Sequence, residues 1–174
     1  MNKAVFLDRD GVINEVLSKR VKFVNKPEQF FLLEGVGEAV KKLNEEGYKV
    51  FVVTNQGGIG LGYMKEQELH RVHEKMISDL GEFGASINDI AYCHHKPKAG
   101  CACRKPEPKM ILDLAKKYDI DLSKSYMIGD RDPDIEAGQA AGVHSILIGK
   151  REPRAQFSNL AEAVNWILQK GRIV

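Results

Sequence analysis

The chain has 174 residues, 43% of them hydrophobic and 29% charged, a length and balance suited to a globular protein with a sizeable core. Its 26 basic and 24 acidic residues leave a net charge of +2, which argues against the clustered basic face of a nucleic-acid binder. No apolar run approaches the ~20 residues of a membrane span, and the first apolar run starts at Ala4, leaving no room for a signal peptide; the cytoplasm is the expected compartment.

In chain order, Ala4-Val5-Phe6-Leu7 reads as a buried strand that runs into Asp8-Arg9-Asp10-Gly11. After a long loop, Val36, Ala39, Val40 and Leu43 recur at helical spacing, and Gly47 suits the stop. Val50 to Val53 is a second strand, ending at Thr54-Asn55-Gln56-Gly57-Gly58. Leu69, Val72, Met76 and Leu80 mark one face of the next helix, and Ile90-Ala91-Tyr92 a short third strand. Met110, Ile111, Leu114 and Ala115 predict another helix, and Tyr126-Met127-Ile128 a fourth strand closed by Gly129-Asp130. A small-residue helix over about 133–141, a strand at Ser145–Ile148 and a helical face of Leu160, Val164, Ile167 and Leu168 complete the pattern. Strand and helix alternate throughout, which predicts an α/β protein with a parallel sheet covered on both faces. The irregular stretches 14–35 and 93–108 are long enough to expect function in them.

The chemistry gathers where strands end, the edge at which open parallel sheets bind ligands. Asp8 and Asp10 lie two positions apart, on one side of the chain leaving the first strand. Two carboxylates crowded there need neutralising, and a hard cation such as Mg²⁺ fits their oxygens. Thr54 and Asn55 leave the second strand, Arg104 and Lys105 precede a helix, and Asp130 leaves the fourth strand with Asp132 and Asp134 beyond. Carboxylates, a hydroxyl, an amide and two cations converging on one rim suit phosphoryl transfer. Read singly, Asp8 and Asp10 are also ordinary turn formers, Thr54 a plain strand-end residue, and Asp132 a helix cap or solvent-facing group.

The segment from Cys93 to Cys103 carries Cys93, Cys101 and Cys103, an odd number that argues against a disulfide framework. Cys93, His95, Cys101 and Cys103 supply the four ligands of a closed, structural zinc site, with His94 left on the surface.

Asp-x-Asp-Gly, Thr-Asn, Lys and Gly-Asp-x-x-x-Asp, in that order from residue 8 to residue 134, resemble the four motifs of the haloacid dehalogenase superfamily. The resemblance implies a three-layer sandwich about a central parallel five-stranded sheet, in strand order three-two-one-four-five. It implies Asp8 as nucleophile and Mg²⁺ ligand, and Asp10 as general acid/base that also reaches the metal through its backbone carbonyl. Thr54 and Lys105 would hold the phosphoryl group, Asp130 would complete the metal site, and Asp134 would stand behind it or act through water. No insertion before Thr54, or between Thr54 and Lys105, is large enough for a cap domain, so a capless, Rossmann-like fold with a zinc loop is expected, one domain over 1–174.

Cys-x-His, then Cys-x-Cys-Arg-Lys-Pro, is similar to the subgroup of heptose bisphosphate phosphatases and histidinol-phosphate phosphatases. Asp-Gly-Val-Ile-Asn, Thr-Asn-Gln-Gly-Gly-Ile-Gly-x-Gly and Phe23-Val24 are similar to the heptose branch, while the short zinc loop is shared with the histidinol branch. The implied activity is Mg²⁺-dependent removal of the 7-phosphate from a manno-heptose 1,7-bisphosphate through an aspartyl-phosphate; histidinol phosphate is the alternative substrate. Arg104 is the expected holder of a second anion, with Asn55, Gln56 and Gly57 at the sugar. Lys19, Arg20 and Lys22 read better as a solvated basic stretch than as helpers. The expected partner is a small phosphorylated sugar, with no nucleic acid, no membrane and a monomeric chain. A nucleic-acid-binding zinc module, which has no use for the Asp-x-Asp pair, and an inactive scaffold, against which the intact motif residues argue, are the competing readings.

Overall fold

The central strand is apolar and buried on both sides because helices cover both faces of the sheet. A computed structural model describes residues 1–172, so the domain expected to run to 174 extends past the described residues. Its strands are β1 (Ala4–Leu7), β2 (Lys49–Asn55), β3 (Asp89–Cys93), β4 (Tyr126–Gly129) and β5 (His144–Leu147), and its helices α1 (Val36–Glu45), α2 (Glu66–Gly81), α3 (Lys109–Tyr118), α4 (Asp132–Ala141) and α5 (Leu160–Arg172). All neighbouring strands pair in parallel, in the order β3-β2-β1-β4-β5 that was expected.

The alternation along β1 divides the core. Val5 and Leu7 pack with residues of α1, α2 and α5, and Ala4 and Phe6 with residues of α3 and α4. The sheet is thus the middle of three layers. Phe6 pairs with Phe51 on one side and Met127 on the other, so β1, at the centre, is screened from water by both neighbours. Burying Phe6, Phe51 and Met127 contributes about 1.5–3 kcal/mol each. Among the described residues no helix is long and apolar enough to cross a membrane.

Three details differ from the sequence reading. β3 runs on to Cys93, so the first cysteine of the expected zinc-binding segment is held by a strand. α4 begins at Asp132, one residue early, with Arg131 at its N-cap position. The stretch 14–35 carries a 3₁₀ turn at Pro27–Gln29 and bridges from Asn14 to Asp10 and Leu32, so it is less irregular than its composition suggested.

Candidate active site

The backbone ladder of β1 continues past the strand, with Asp8 N–H donating to Ile128 C=O (3.0 Å), and this fixes the Asp8 Cα at the sheet's carboxyl edge. Gly11, at φ +84°, then turns the chain back so that its own N–H reaches Asn14 C=O (2.9 Å). A side chain at Gly11 would overlap Asp130 Oδ2, so glycine is also what lets the β1 and β4 ends approach.

Asp8, Asp10, Lys105, Asp130 and Asp134 line one cavity of about 280 Å³, together with Asn55, Arg104 and Arg131. Lys105 is 5% exposed, and its Nζ lies 2.9 Å from Asp8 Oδ1 and 2.6 Å from Asp134 Oδ1 and donates to Val53 C=O at 2.8 Å. Burial would strip its proton, but the Asp8 and Asp134 charges outweigh that and raise its pKa. Asn55 grips the Lys105 backbone from both sides: its Oδ1 accepts from Lys105 N–H (2.9 Å) and its Nδ2 donates to Lys105 C=O (3.2 Å).

Asp8, Asp130 and Asp134 each bring an oxygen within 4.8 Å of the others. Burial, then the neighbouring carboxylates, push the Asp8 carboxyl up to about 8 against the pull of Lys105. Burial and the Asp134 charge raise Asp130 to about 6. Asp130 Oδ1 is buried without a hydrogen-bond partner. An all-oxygen cluster with an orphaned carboxylate oxygen fits a hard divalent cation. The Asp134 carboxylate is spent on Lys105 and on the backbone N–H groups of Asp130 and Arg131 (both 3.2 Å). The Asp10 side chain is likewise committed, to Arg9, Asn14 and Gln56.

Cys93 Sγ lies 3.3 Å from His95 Nδ1 and 3.6 Å from Cys101 Sγ, and His95 Nδ1 lies 3.1 Å from Cys103 Sγ. Tetrahedral zinc with bonds of about 2.0–2.3 Å has ligand–ligand edges of roughly 3.5–3.8 Å, so this soft set needs to open by only a few tenths of an ångström. The exposed His94 ring sits against His95, centroids 4.2 Å apart. The loop reaches the cavity through Arg104, whose Nη1 donates to His95 C=O at 3.3 Å.

The remaining expected residues are placed as follows. Thr54 is 1% exposed and its Oγ1 accepts from Gln56 Nε2 (3.0 Å). The Gln56 backbone N–H, expected to face the sugar, instead donates to Cys93 C=O (2.8 Å), because the β2–β3 ladder continues one residue further. Gly57 packs under the zinc loop, where a Cβ would crowd Arg104 Nη1 and His95 C=O. Arg20 pairs with Glu15 (2.8 Å), and neither it nor Lys19 or Lys22 lines the cavity. Asp132 is exposed and faces Arg154 (3.1 Å).

Sequence reasoning passed over Arg9, Arg131, Leu17 and Val16. Arg131 lines the same cavity as Arg104, and Val16, Leu17 and Phe23 supply its apolar lining. Arg9 is fully buried; the period-two alternation that aims Asp8 and Asp10 one way aims Arg9 the other, and that was its available signal.

A family model described as "HAD-hyrolase-like" matches residues 102–164. A D-glycero-beta-D-manno-heptose-1,7-bisphosphate 7-phosphatase of Helicobacter pylori (strain J99) is 38% identical over 173 residues, covering 95% of this chain and 97% of the relative. A D-glycero-alpha-D-manno-heptose-1,7-bisphosphate 7-phosphatase of Campylobacter jejuni is 35% identical, covering 97% of each chain. The crystal structure of D,D-heptose 1,7-bisphosphate phosphatase from B. bronchiseptica, complexed with magnesium and phosphate, superposes with a TM-score of 0.86 at 33% identity, covering 97% of this chain and 99% of that one.

Proposed function

The chain belongs to the heptose-1,7-bisphosphate 7-phosphatase family of haloacid dehalogenase-like hydrolases, and from that premise we propose that it removes the 7-phosphate of D-glycero-D-manno-heptose 1,7-bisphosphate through a phosphorylated Asp8. It is a phosphomonoester hydrolase. The observation that carries the reading is the convergence of Asp8, Asp130, Asp134 and Lys105, from separate strand ends and loops, on one cavity. The described chain works as one monomeric domain.

An Asp8 oxygen attacks phosphorus as the bond to the sugar oxygen breaks, and Asp10 gives that oxygen its proton. Asp10, now a carboxylate, takes a proton from the water that attacks the phosphoaspartate. Burial opposes the charged form of Asp10, but the Arg9 charge and the bonds from Asn14, Arg9 and Gln56 outweigh it, so its pKa lies below the usual value and favours that second role. Lys105 and Thr54 hold phosphoryl oxygens. The Asp8 and Asp130 carboxylates and the Asp10 carbonyl would hold Mg²⁺, which when bound supplies positive charge against the repulsion between carboxylate and phosphate dianion. Cys93, His95, Cys101 and Cys103 would hold a structural zinc ion, and Arg104 takes the second anion. Asn55, Gln56 and Gly57 shape the sugar side indirectly, by holding Lys105 and the zinc loop.

The test is phosphate release from the α and β anomers of the heptose bisphosphate and from histidinol phosphate. At least one anomer should exceed histidinol phosphate by about tenfold or more in kcat/KM. A preference for histidinol phosphate would overturn the substrate. Asp8→Asn should lower kcat by about four orders of magnitude or more with the thermal midpoint kept, and wild-type turnover in that variant would overturn the nucleophile.

A further inference from the structure

Arg9 is 0% exposed, and its guanidinium meets two side chains, Asp10 and His73. Its Nε and Nη2 donate to Asp10 Oδ1 at 3.1 and 2.7 Å, and its Nη1 lies 3.1 Å from His73 Nε2. A guanidinium only donates, so His73 Nε2 is the acceptor and the ring carries its proton on Nδ1. His73 is 5% exposed on the inner face of α2, between Val72 and Met76, and the Tyr92 ring stands 6.2 Å away. A buried cation is costly unless its geometry is satisfied, and here its satisfied geometry bears directly on a carboxylate that faces the cavity.

The two oxygens of Asp10 are treated differently. Oδ1 takes the two Arg9 donors and Asn14 Nδ2 (3.0 Å), whereas Oδ2 accepts one bond, from Gln56 Nε2 at 3.2 Å. Three donors on Oδ1 leave it no place for a proton, so Oδ2 is the oxygen with capacity to exchange one. We infer that Arg9, anchored by neutral His73 on α2, is the positioning residue that fixes the Asp10 carboxyl so that Oδ2 hands its proton to the leaving oxygen. In that step the Asp8 O–P bond forms, the P–O bond to the leaving group breaks, and the proton moves from Asp10 Oδ2 to the departing oxygen. The inference rests on the proposed role of Asp10 as general acid.

Such a device matters only when the leaving group needs protonation, which gives it a signature that loss of packing lacks. The experiment measures kcat/KM over aryl phosphates from phenyl to 4-nitrophenyl phosphate, for the wild type, Asp10→Asn, Arg9→Met, His73→Leu and His73→Gln, with Mg²⁺ and zinc present. Asp10→Asn should steepen the dependence on leaving-group pKa, losing about 10²-fold or more on phenyl phosphate and far less on 4-nitrophenyl phosphate. Arg9→Met should steepen it in the same sense, with about tenfold or more difference between the two ends. His73→Leu should follow Arg9→Met more weakly, and His73→Gln, which keeps an acceptor for Arg9, should restore the wild-type slope. An unchanged slope in Asp10→Asn would overturn the acid role itself. A steepened slope in Asp10→Asn with an unchanged slope in Arg9→Met, whether activity is kept or lost evenly across the series, would overturn the positioning role alone. Should Arg9→Met fail to fold, the His73 pair decides: a steeper slope in Leu than in Gln supports the inference, and equal slopes overturn it.

Discussion

His73 shows how a residue outside the cavity makes the protein sensitive to acid. Burial, and then the Arg9 charge, hold its pKa down to about 3, against an ordinary value of 6.5. An unfolded chain takes up this proton as pH falls below 6.5, and the folded protein takes it up only near 3. Its contribution to stability is therefore complete above pH 6.5 and is lost as pH falls towards 3, by up to about 1.4 kcal/mol per unit. Urea unfolding at pH 7 and pH 5 should show the wild type losing about 1–2 kcal/mol more than His73→Gln. Equal losses would remove His73 from the account. The same residue marks a limit of legibility: Asp8, Asp10, Lys105 and Asp130 were readable from motif order, but nothing local in the sequence says that an arginine between two aspartates is buried against a helix 64 positions away.

Elements differ in what fixes them. The strands were legible because each is an apolar run between turn residues, and the helices because their apolar residues recur at helical spacing. The loops were legible only as loops. What the turn after β1 does depends on Gly11, whose φ of +84° and close approach to the Asp130 carboxylate strain any residue with a Cβ. Gly11→Ala should push Asp130 aside, raising the Mg²⁺ concentration for half-maximal activity by about tenfold or more while Tm falls by only a few degrees. An unchanged Mg²⁺ requirement would separate Gly11 from the metal site. The Cys/His loop, proposed to hold zinc, is the other such element. It begins on β3 at Cys93, binds Arg104 through His95 C=O, and is followed at once by Lys105. Removing its metal with a strong chelator should lower Tm and cost about tenfold or more in kcat/KM, with both restored by added zinc. Full activity and unchanged Tm in protein shown to be metal-free would leave the loop without a structural ion.

At the scale of the molecule, the sheet order brings the ends of β1 and β4 side by side, and this adjacency joins Asp8 to Asp130 although 122 residues separate them in sequence. Lys105 is delivered from the loop between β3 and α3, and its position between Asp8 and Asp134 ties that loop to both strand ends. Among the described residues no cap domain stands over the cavity, and Val16, Leu17, Phe23, Arg104 and Arg131 line it, so selectivity falls to those few side chains. Motif order could not reveal that lining, because it forms only when three loops meet. Motif order did point to the central chemistry, which one structure determination tests directly: crystals of the protein with Mg²⁺ and beryllium fluoride. The account predicts a tetrahedral fluoride adduct bonded to an Asp8 carboxylate oxygen within reach of Lys105 Nζ. An adduct on Asp10 or Asp130, or none at all with Mg²⁺ bound, would contradict it.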